Sequence, residues 1–482
     1  MSEVKTKKND SILSHFLIIG SGTFINVLLG LITAPIITRI VDPVDNGKMG
    51  MFNLYASIGL MVFLLGLDQS LVRFYYEKDS KEYKAGLLKL CVFLPTIVTV
   101  IASVIVLVLS FTKPDLFEFE TPTMALLCVY TLFSIWNRIS LLLLRVNYKS
   151  KYYALCSIVS RVVYLSVVLI FALRFRDKHF LILIIATMLS MMTSTLISMR
   201  VNKESWNMSG SIANSREIIR YGLPFVLSLG LTTLFQAIDK LSLNAFCTYR
   251  EVGIYTTALS IITVFEVVQT TFNTLWSPMQ IEHYVNDPED RSFIQKGNQY
   301  ITIIMFFLGL CLILSRNVIS LLLGEKYREV AAILPFLVFN PIMYTISETT
   351  HGGIEFKKKS YYNIVIALVA CIVNVTGNLL LVPRYACEGA AMSTGISYIV
   401  FFALRTYFSL SLYKADYKLW RFTIMTVMAL VFAFYNTFYD SFIVSLMMFI
   451  ICMGALLFLY RDSLKDLIDF IFSQLNLKKS KQ

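Results

Sequence analysis

Two arginines in apolar surroundings carry the strongest chemical signal in this chain. Arg138 lies in the apolar run centred near Phe133, and Arg161 in the run centred near Tyr164. A charge at the centre of a membrane helix costs about 2.5–3.5 kcal/mol even on a lenient insertion scale, so each needs a physical reason. The turn Asn147-Tyr148-Lys149-Ser150-Lys151 separates the two runs. Each arginine is about eleven or twelve residues from that turn, roughly 17 Å at about 1.5 Å per residue. They therefore sit at similar depth on neighbouring helices, where they repel unless an anion or water lies between them. Ser134, Arg138 and Arg145 share one helical stripe, and Ser157, Arg161 and Tyr164 share another. A guanidinium presents a planar fork to phosphate oxygens. One reading is thus a water-filled cationic cavity for an anionic headgroup such as a diphosphate, with Arg73 and Lys240 as further cations. The competing reading pairs each arginine with an intramembrane acid, for example Asp68 or Glu266.

The acids within apolar runs are Asp68, Asp239, Glu266 and Glu348. Each is a candidate for ion coupling or for a counter-ion to the cavity arginines. Glu348, His351 and Glu355 recur at i, i+3 and i+7, on one side of a helix. Asp239 and Lys240 are adjacent, so their side chains diverge and they do not form a mutual pair. H+ or Na+ is the candidate coupling ion, and no other cofactor is expected.

Motifs for covalent chemistry are missing. The chain has no GxxxxGK[ST], no GxSxG and no HExxH, and its four histidines are scattered. Its eight cysteines occur singly, with no CxxC pair, which suits small packing residues better than a metal site or a disulfide framework. The protein is read as a non-enzyme that works by binding, a gradient, or both.

The elements that must hold these residues are membrane helices. Hydrophobic residues make up 56% of the chain and charged residues 15%, and the mean hydropathy is +0.67. That charged share is well below the roughly one quarter of a soluble domain. Runs such as 92–111, 181–199 and 424–434 are nearly free of charge over spanning lengths. The expectation is an all-α polytopic membrane protein with about fourteen transmembrane helices. The first apolar run, 12–38, is too long for a signal peptide and reads as the first span. Connections are short, so no soluble domain is inserted.

A hairpin organises the start of the chain. Its polar turn is read as Arg39–Lys48, and its second span runs to Phe74 and carries Asp68 and Arg73. A fainter copy begins at Tyr221-Gly222-Leu223-Pro224 and turns at Arg250–Tyr255. Asp45/Gly47 and Glu251/Gly253 place an acid two residues before a glycine in each copy. The repeat implies two related halves, residues 1–203 and 204–411, followed by residues 412–482 with an added pair of spans and an amphipathic tail. Pro35 and Pro224 lie in the opening span of each half and are candidate hinges.

Lysine and arginine set the orientation. Roughly 29 fall on one side and about 11 on the other, which puts both termini in the cytoplasm of a bacterial inner membrane protein. The loop Arg174-Phe175-Arg176-Asp177-Lys178 opposes this bias. The net charge of +12 has the same topological origin. No basic face interleaved with aromatics points to nucleic acid.

Three stretches resemble a known family. They are Gly66-Leu67-Asp68-Gln69-Ser70-Leu71-Val72-Arg73-Phe74-Tyr75, then Leu322-Leu323-Gly324-Glu325-Lys326-Tyr327 with Ala331-Ala332-Ile333-Leu334-Pro335, and last Asn374–Tyr385 with Glu388-Gly389-Ala390-Ala391-Met392-Ser393-Thr394. In this order they resemble the Wzx-type polysaccharide flippases, the O-antigen and capsular repeat-unit transporters of the multidrug/oligosaccharidyl-lipid/polysaccharide exporter superfamily. Ala386-Cys387 departs from the glycine and aliphatic residue common there. The resemblance implies two six-helix lobes around a central cationic cavity, with two added helices offering a groove for a lipid tail. It implies an undecaprenyl-diphosphate oligosaccharide as substrate, flipped from the inner to the outer leaflet by alternating access. Membrane lipids, a polysaccharide polymerase and assembly proteins are the implied partners. The alternatives are a peptidoglycan lipid II or teichoic-acid precursor flippase, a drug/cation antiporter, which the deep arginines disfavour, and a membrane glycan polymerase, which the short outer loops disfavour.

Overall fold

The computed structural model describes residues 29–172, 174–208, 210 and 215–466. Among them every regular element is a helix. The helices are α1 (Leu29–Ile40), α2 (Pro43–Phe63), α3 (Leu67–Phe74), α4 (Lys81–Thr112), α5 (Thr121–Val146), α6 (Ser150–Ala172), α7 (His179–Val201), α8 (Ser215–Phe246), α9 (Tyr249–Asn286) and α10 (Ser292–Leu322). They continue with α11 (Val330–Leu337), α12 (Phe339–Thr350), α13 (Gly352–Phe356), α14 (Tyr361–Leu412), α15 (Leu419–Phe438) and α16 (Phe442–Leu459). Among the described residues, 10 helices can cross a membrane by length and composition, with α11 and α12 together (Val330–Thr350) as one of them, or 11 if the bent pair α2–α3 counts as one span. The first half of the expected first span and the tail beyond residue 466 lie outside the described residues.

Contacts divide the chain into two units, Met1–Ala237 and Ile238–Gln482. The polar stretch near residue 203 precedes this division because the start of α8 packs within the first unit. Ser70 Oγ donates to the Ile218 carbonyl at 2.8 Å, and both are buried.

The repeated acid-x-glycine signature has a local explanation. The polar stretch after Ile40 is a two-residue turn followed by the first turn of α2, so the expected ten-residue turn is shorter than read. Asp42 caps α2 by accepting from Val44 N at 3.1 Å, and Pro43 occupies the first helical position, where its missing N–H is harmless. In the second copy Thr248 and Glu251 form a reciprocal capping box on α9. Asp45 and Glu251 thus occupy equivalent first-turn positions, facing the positive end of the helix dipole.

In the first unit α2 and α3 meet at a 52° bend. Gly66 makes the bend, at φ 67°. A Cβ there would also sit 2.1 Å from the Gly222 carbonyl oxygen of α8. Both the conformation and the close approach demand glycine. Leu67, Leu71, Leu87, Leu88, Ile135 and Ile139 then interlock α3, α4 and α5. Lipid is as apolar as leucine, so packing density and polar contacts hold such helices together. Asn137 Nδ2 donates to the Met191 carbonyl (3.0 Å) and Ser198 Oγ to the Ser140 carbonyl (2.6 Å), tying α5 to α7. Pro35 and Pro224 lie within α1 and α8, each of which continues past its proline.

In the second unit α14 is 52 residues long, about 78 Å at about 1.5 Å per residue, too long for one span. It reverses at Ala386 (φ 43°, ψ −119°). Gly389 folds back on the Leu381 carbonyl, where a Cβ would approach to 2.5 Å. Arg316 of α10 anchors the end of α15: its guanidinium donates to the carbonyls of Asn436 and Tyr439 and to Asp440 Oδ1. A cation at a helix C-terminus satisfies orphan carbonyls and the dipole together.

Ala386 occupies a backbone region that favours glycine. Ala386→Gly is therefore expected to stabilise the protein by about 1 kcal/mol, the strain relieved less the added chain entropy. Gly66→Ala is expected to lower the melting temperature and the folded yield. Thermal unfolding in detergent checks both.

Candidate functional site

The bend at Gly66 aims Asp68 across the first unit. Its carboxylate is buried, with 3% of the side chain exposed, and it meets Arg138 of α5 at 3.0 Å. Gln69 adds a backbone N–H (2.9 Å) and an amide N–H (3.1 Å). Arg138 itself stays 50% exposed. Its free side borders a cavity of about 350 Å³ lined by Asn53, Ser57, Tyr130, Ser134, Asn137, Arg145, Tyr153 and neighbouring apolar side chains. Both earlier readings of Arg138 therefore apply at once: it has an intramembrane acid, and it faces a cavity. Arg145, one i, i+7 step along α5, supplies a second guanidinium to the same space, about 10 Å away along the axis.

Arg161 does not line this cavity. Its Nη2 lies 3.8 Å from where a Cβ on Gly30 of α1 would stand, and no acid among the described residues is within 4.0 Å. Depth alone was legible in the spacing of the two arginines. The direction of each side chain depends on how α5 and α6 are rotated, which the spacing does not give. Arg73 is exposed in the last turn of α3, over the ring of Phe74 at 5.6 Å.

The second unit holds two buried polar clusters. In one, Asp239 of α8 is buried among hydroxyls and amides. Its Oδ2 accepts from Tyr255 (2.6 Å) and Thr394 (2.5 Å), and its Oδ1 from Asn378 (2.8 Å) and Asn374 (3.2 Å). The reversal at Ala386 brings Thr394 back beside Asn374 and Asn378. Asn378 Oδ1 is buried there without a hydrogen-bond partner. Lys240 is half-buried and makes no ion pair with Asp239, in line with the divergence of adjacent helical side chains.

In the other cluster Glu348 is held by Arg405 at 2.7 Å, and Arg405 also donates to Ser347 Oγ at 2.7 Å. The guanidinium lies 5.6 Å from the Tyr344 ring and 5.5 Å from that of Phe401. His351 faces Glu355 at 3.6 Å, and Gln280 donates to Glu355 at 2.9 Å. Glu348 is thus a counter-ion, with a partner that sequence reasoning missed. Arg405 lies 57 positions away in sequence; a charge within an apolar run was the one signal that could have found it. Glu266 belongs to α9, and its side chain lies outside the described residues.

This arrangement is that of a multi-pass helical membrane protein with a cationic cavity among its helices. The structure resembles that of a lipid II flippase, MurJ, in an inward closed conformation, with a TM-score of 0.66 at 15% identity over 92% of this chain and 99% of that one. It also resembles an inward-facing multidrug resistance transporter of the MATE family and MOP superfamily, with a TM-score of 0.65 at 15% identity over 80% of this chain and 93% of that one. These likenesses establish the fold. The chain belongs to the polysaccharide biosynthesis protein family, whose model matches residues 12–283. A capsular polysaccharide biosynthesis protein of Staphylococcus aureus, CapF, is 27% identical over 209 residues, 42% of this chain and 51% of that protein. The chain therefore matches about half the length of that curated relative.

The Glu348–Arg405 pair generates a stability prediction. Glu348→Leu leaves a buried guanidinium unpaired and is expected to cost about 3–5 kcal/mol. The double variant Glu348→Leu/Arg405→Leu is expected to recover most of that loss, as read by thermal unfolding.

Proposed function

We propose that this protein flips an undecaprenyl-diphosphate-linked oligosaccharide repeat unit from the inner to the outer leaflet of the bacterial cytoplasmic membrane by alternating access, driven by H+ or Na+ and without covalent chemistry. The observation that carries this reading is the cavity shared by Arg138 and Arg145. Two guanidiniums suit a diphosphate, and the amides and hydroxyls of Asn53, Ser57, Tyr130, Asn137 and Tyr153 suit sugar hydroxyls. Asp68 holds Arg138 in place while leaving half of it accessible. Membership of the polysaccharide biosynthesis family and the fold shared with a lipid II flippase support the same substrate class. The product would pass to a polysaccharide polymerase and assembly proteins.

The coupling ion would bind at Asp239. Its cluster offers a carboxylate, two amide oxygens and two hydroxyls, a hard oxygen set suited to Na+, while the carboxylate alone suffices for a proton. Amide orientations are interchangeable by a flip, so the unpartnered Asn378 Oδ1 can turn toward an ion beside the carboxylate. Glu348 is already neutralised by Arg405 and serves the fold.

Flipping of a fluorescent polyprenyl-diphosphate saccharide in proteoliposomes tests both parts. Asp68→Asn/Arg138→Gln removes the ion pair while keeping hydrogen-bonding shapes. It is expected to remain folded and to lose at least tenfold in flipping rate; an unchanged rate would overturn the cavity assignment. Asp239→Asn is expected to abolish the response to an imposed gradient, and separate Na+ and pH gradients identify the ion. A preference for lipid II over repeat units would change the glycan within the same mechanism.

A further inference from the structure

One buried cluster of the second unit holds more charge and more polar atoms than its contacts satisfy. His351 ends α12, and Glu355 lies one helical turn on, in the five-residue α13. Both follow Thr350, the last residue of the span Val330–Thr350. The His351 side chain is only 4% exposed, yet neither ring nitrogen makes a hydrogen bond among the described residues. A buried polar group without a partner needs a physical reason. His351 Nδ1 lies 3.6 Å from Glu355 Oε1, and Glu355 Oε2 accepts from Gln280 of α9 at 2.9 Å. The Gln280 amide oxygen is itself buried without a partner.

The charges around the pair do not cancel. Glu348 faces it from α12 and Arg405 from α14, and these two neutralise each other at 2.7 Å. The other polar groups packed nearby are uncharged: Tyr344 on α12, Gln280 and Tyr284 on α9, Asn298 on α10, and Tyr413 and Tyr417 beyond α14. Glu355 is therefore one carboxylate in excess. Burial, and then the charge of Glu348, raises its carboxyl above the usual carboxylate range. Burial, and then the charge of Arg405, holds His351 down to about 3, so its ring is neutral at neutral pH.

We propose that His351 and Glu355 together bind one exchangeable proton, a site separate from Asp239 at the end of the second unit that carries Lys357, Lys358 and Lys359. The carboxyl holds the proton, and the neutral ring faces it as acceptor, directly or through one water. Glu355 is the port, because 29% of its side chain is exposed, and His351 is the enclosed end. Occupancy has a mechanical consequence, because α13 is tightly docked. Phe356 stacks on Tyr284 of α9 at 4.1 Å, and Gly353 N donates to Ser409 Oγ of α14 at 2.9 Å. A Cβ on Gly353 would lie 2.3 Å from the Ser409 carbonyl oxygen. With the proton bound, the cluster is neutral and this docking is undisturbed. Without it, a largely buried carboxylate lacks a cation, which favours release of α13. The docked state binds the proton, so docking is strongest at low pH and weakens as pH rises through the titration of the pair. The site stands whatever substrate the protein carries.

The test is pH-difference infrared spectroscopy of the full-length protein in nanodiscs, paired with amide hydrogen exchange. A protonated-carboxyl band is expected to disappear between about pH 6 and about pH 8. Over the same interval the exchange protection of residues 352–359, corrected for intrinsic rates, is expected to fall at least about threefold. Glu355→Gln keeps the shape of the protonated acid. It is expected to lose the band and to hold that protection at both pH values. His351→Gln is expected to move the midpoint of the band by at least about half a pH unit. Asp239→Asn is expected to leave both readouts in place. A titrating band that survives Glu355→Gln and vanishes in Asp239→Asn would assign the proton to Asp239 and overturn the proposal. So would a wild-type protein with no titrating band and constant protection of α13. An unmoved midpoint in His351→Gln would remove the ring from the site and overturn the pair.

Discussion

The ion pair between Asp68 and Arg138 is the constraint on which the first unit turns. A buried carboxylate in a membrane protein needs a cation or several donors, and a guanidinium at membrane depth needs an anion or water. Here each meets the other's need at 3.0 Å, and the guanidinium keeps half its surface for the cavity. The pair exists only because α3 departs from α2 at 52°, and that bend exists only because Gly66 has no side chain to strike Gly222. Backbone geometry, helix packing and cavity charge are therefore one problem.

The second unit solves the buried-carboxylate problem in two ways. Glu348 is neutralised by Arg405, whose guanidinium is also flanked by aromatic rings. Asp239 has no ion-pair partner within 4.0 Å among the described residues and instead accepts from two hydroxyls and two amides. The first arrangement is closed, because its charges cancel internally. The second holds its carboxylate by neutral donors alone, in an oxygen-lined space. Its geometry depends on the reversal at Ala386, which sets Thr394 against the two asparagines.

Much was legible in the residues themselves. Composition and run length determined a multi-pass helical membrane protein, because no other class tolerates so few charges over such lengths. Motif order pointed to a polysaccharide-export family, and the chain belongs to the polysaccharide biosynthesis protein family. The acid-x-glycine repeat was a true signal whose meaning was local: both acids sit in the first turn of a helix, where the dipole favours them, so the repeat marks helix starts more than turns. Short-range rules of this kind survive translation from sequence to structure because they act within one turn of helix.

The sequence by itself determined which residues are costly in a membrane: Arg138, Arg161, Asp68, Asp239 and Glu348 all stood out by type and position. Only the tertiary structure decided what each one does. Helical spacing gives depth and stripe, but the partner of a buried charge lies on another helix, 70 residues away for Arg138 and 57 for Glu348. Which stripe faces which neighbour depends on the rotation and bend of packed helices. The spacing therefore found the arginines, and packing separated Arg138, which faces a cavity, from Arg161, which borders α1.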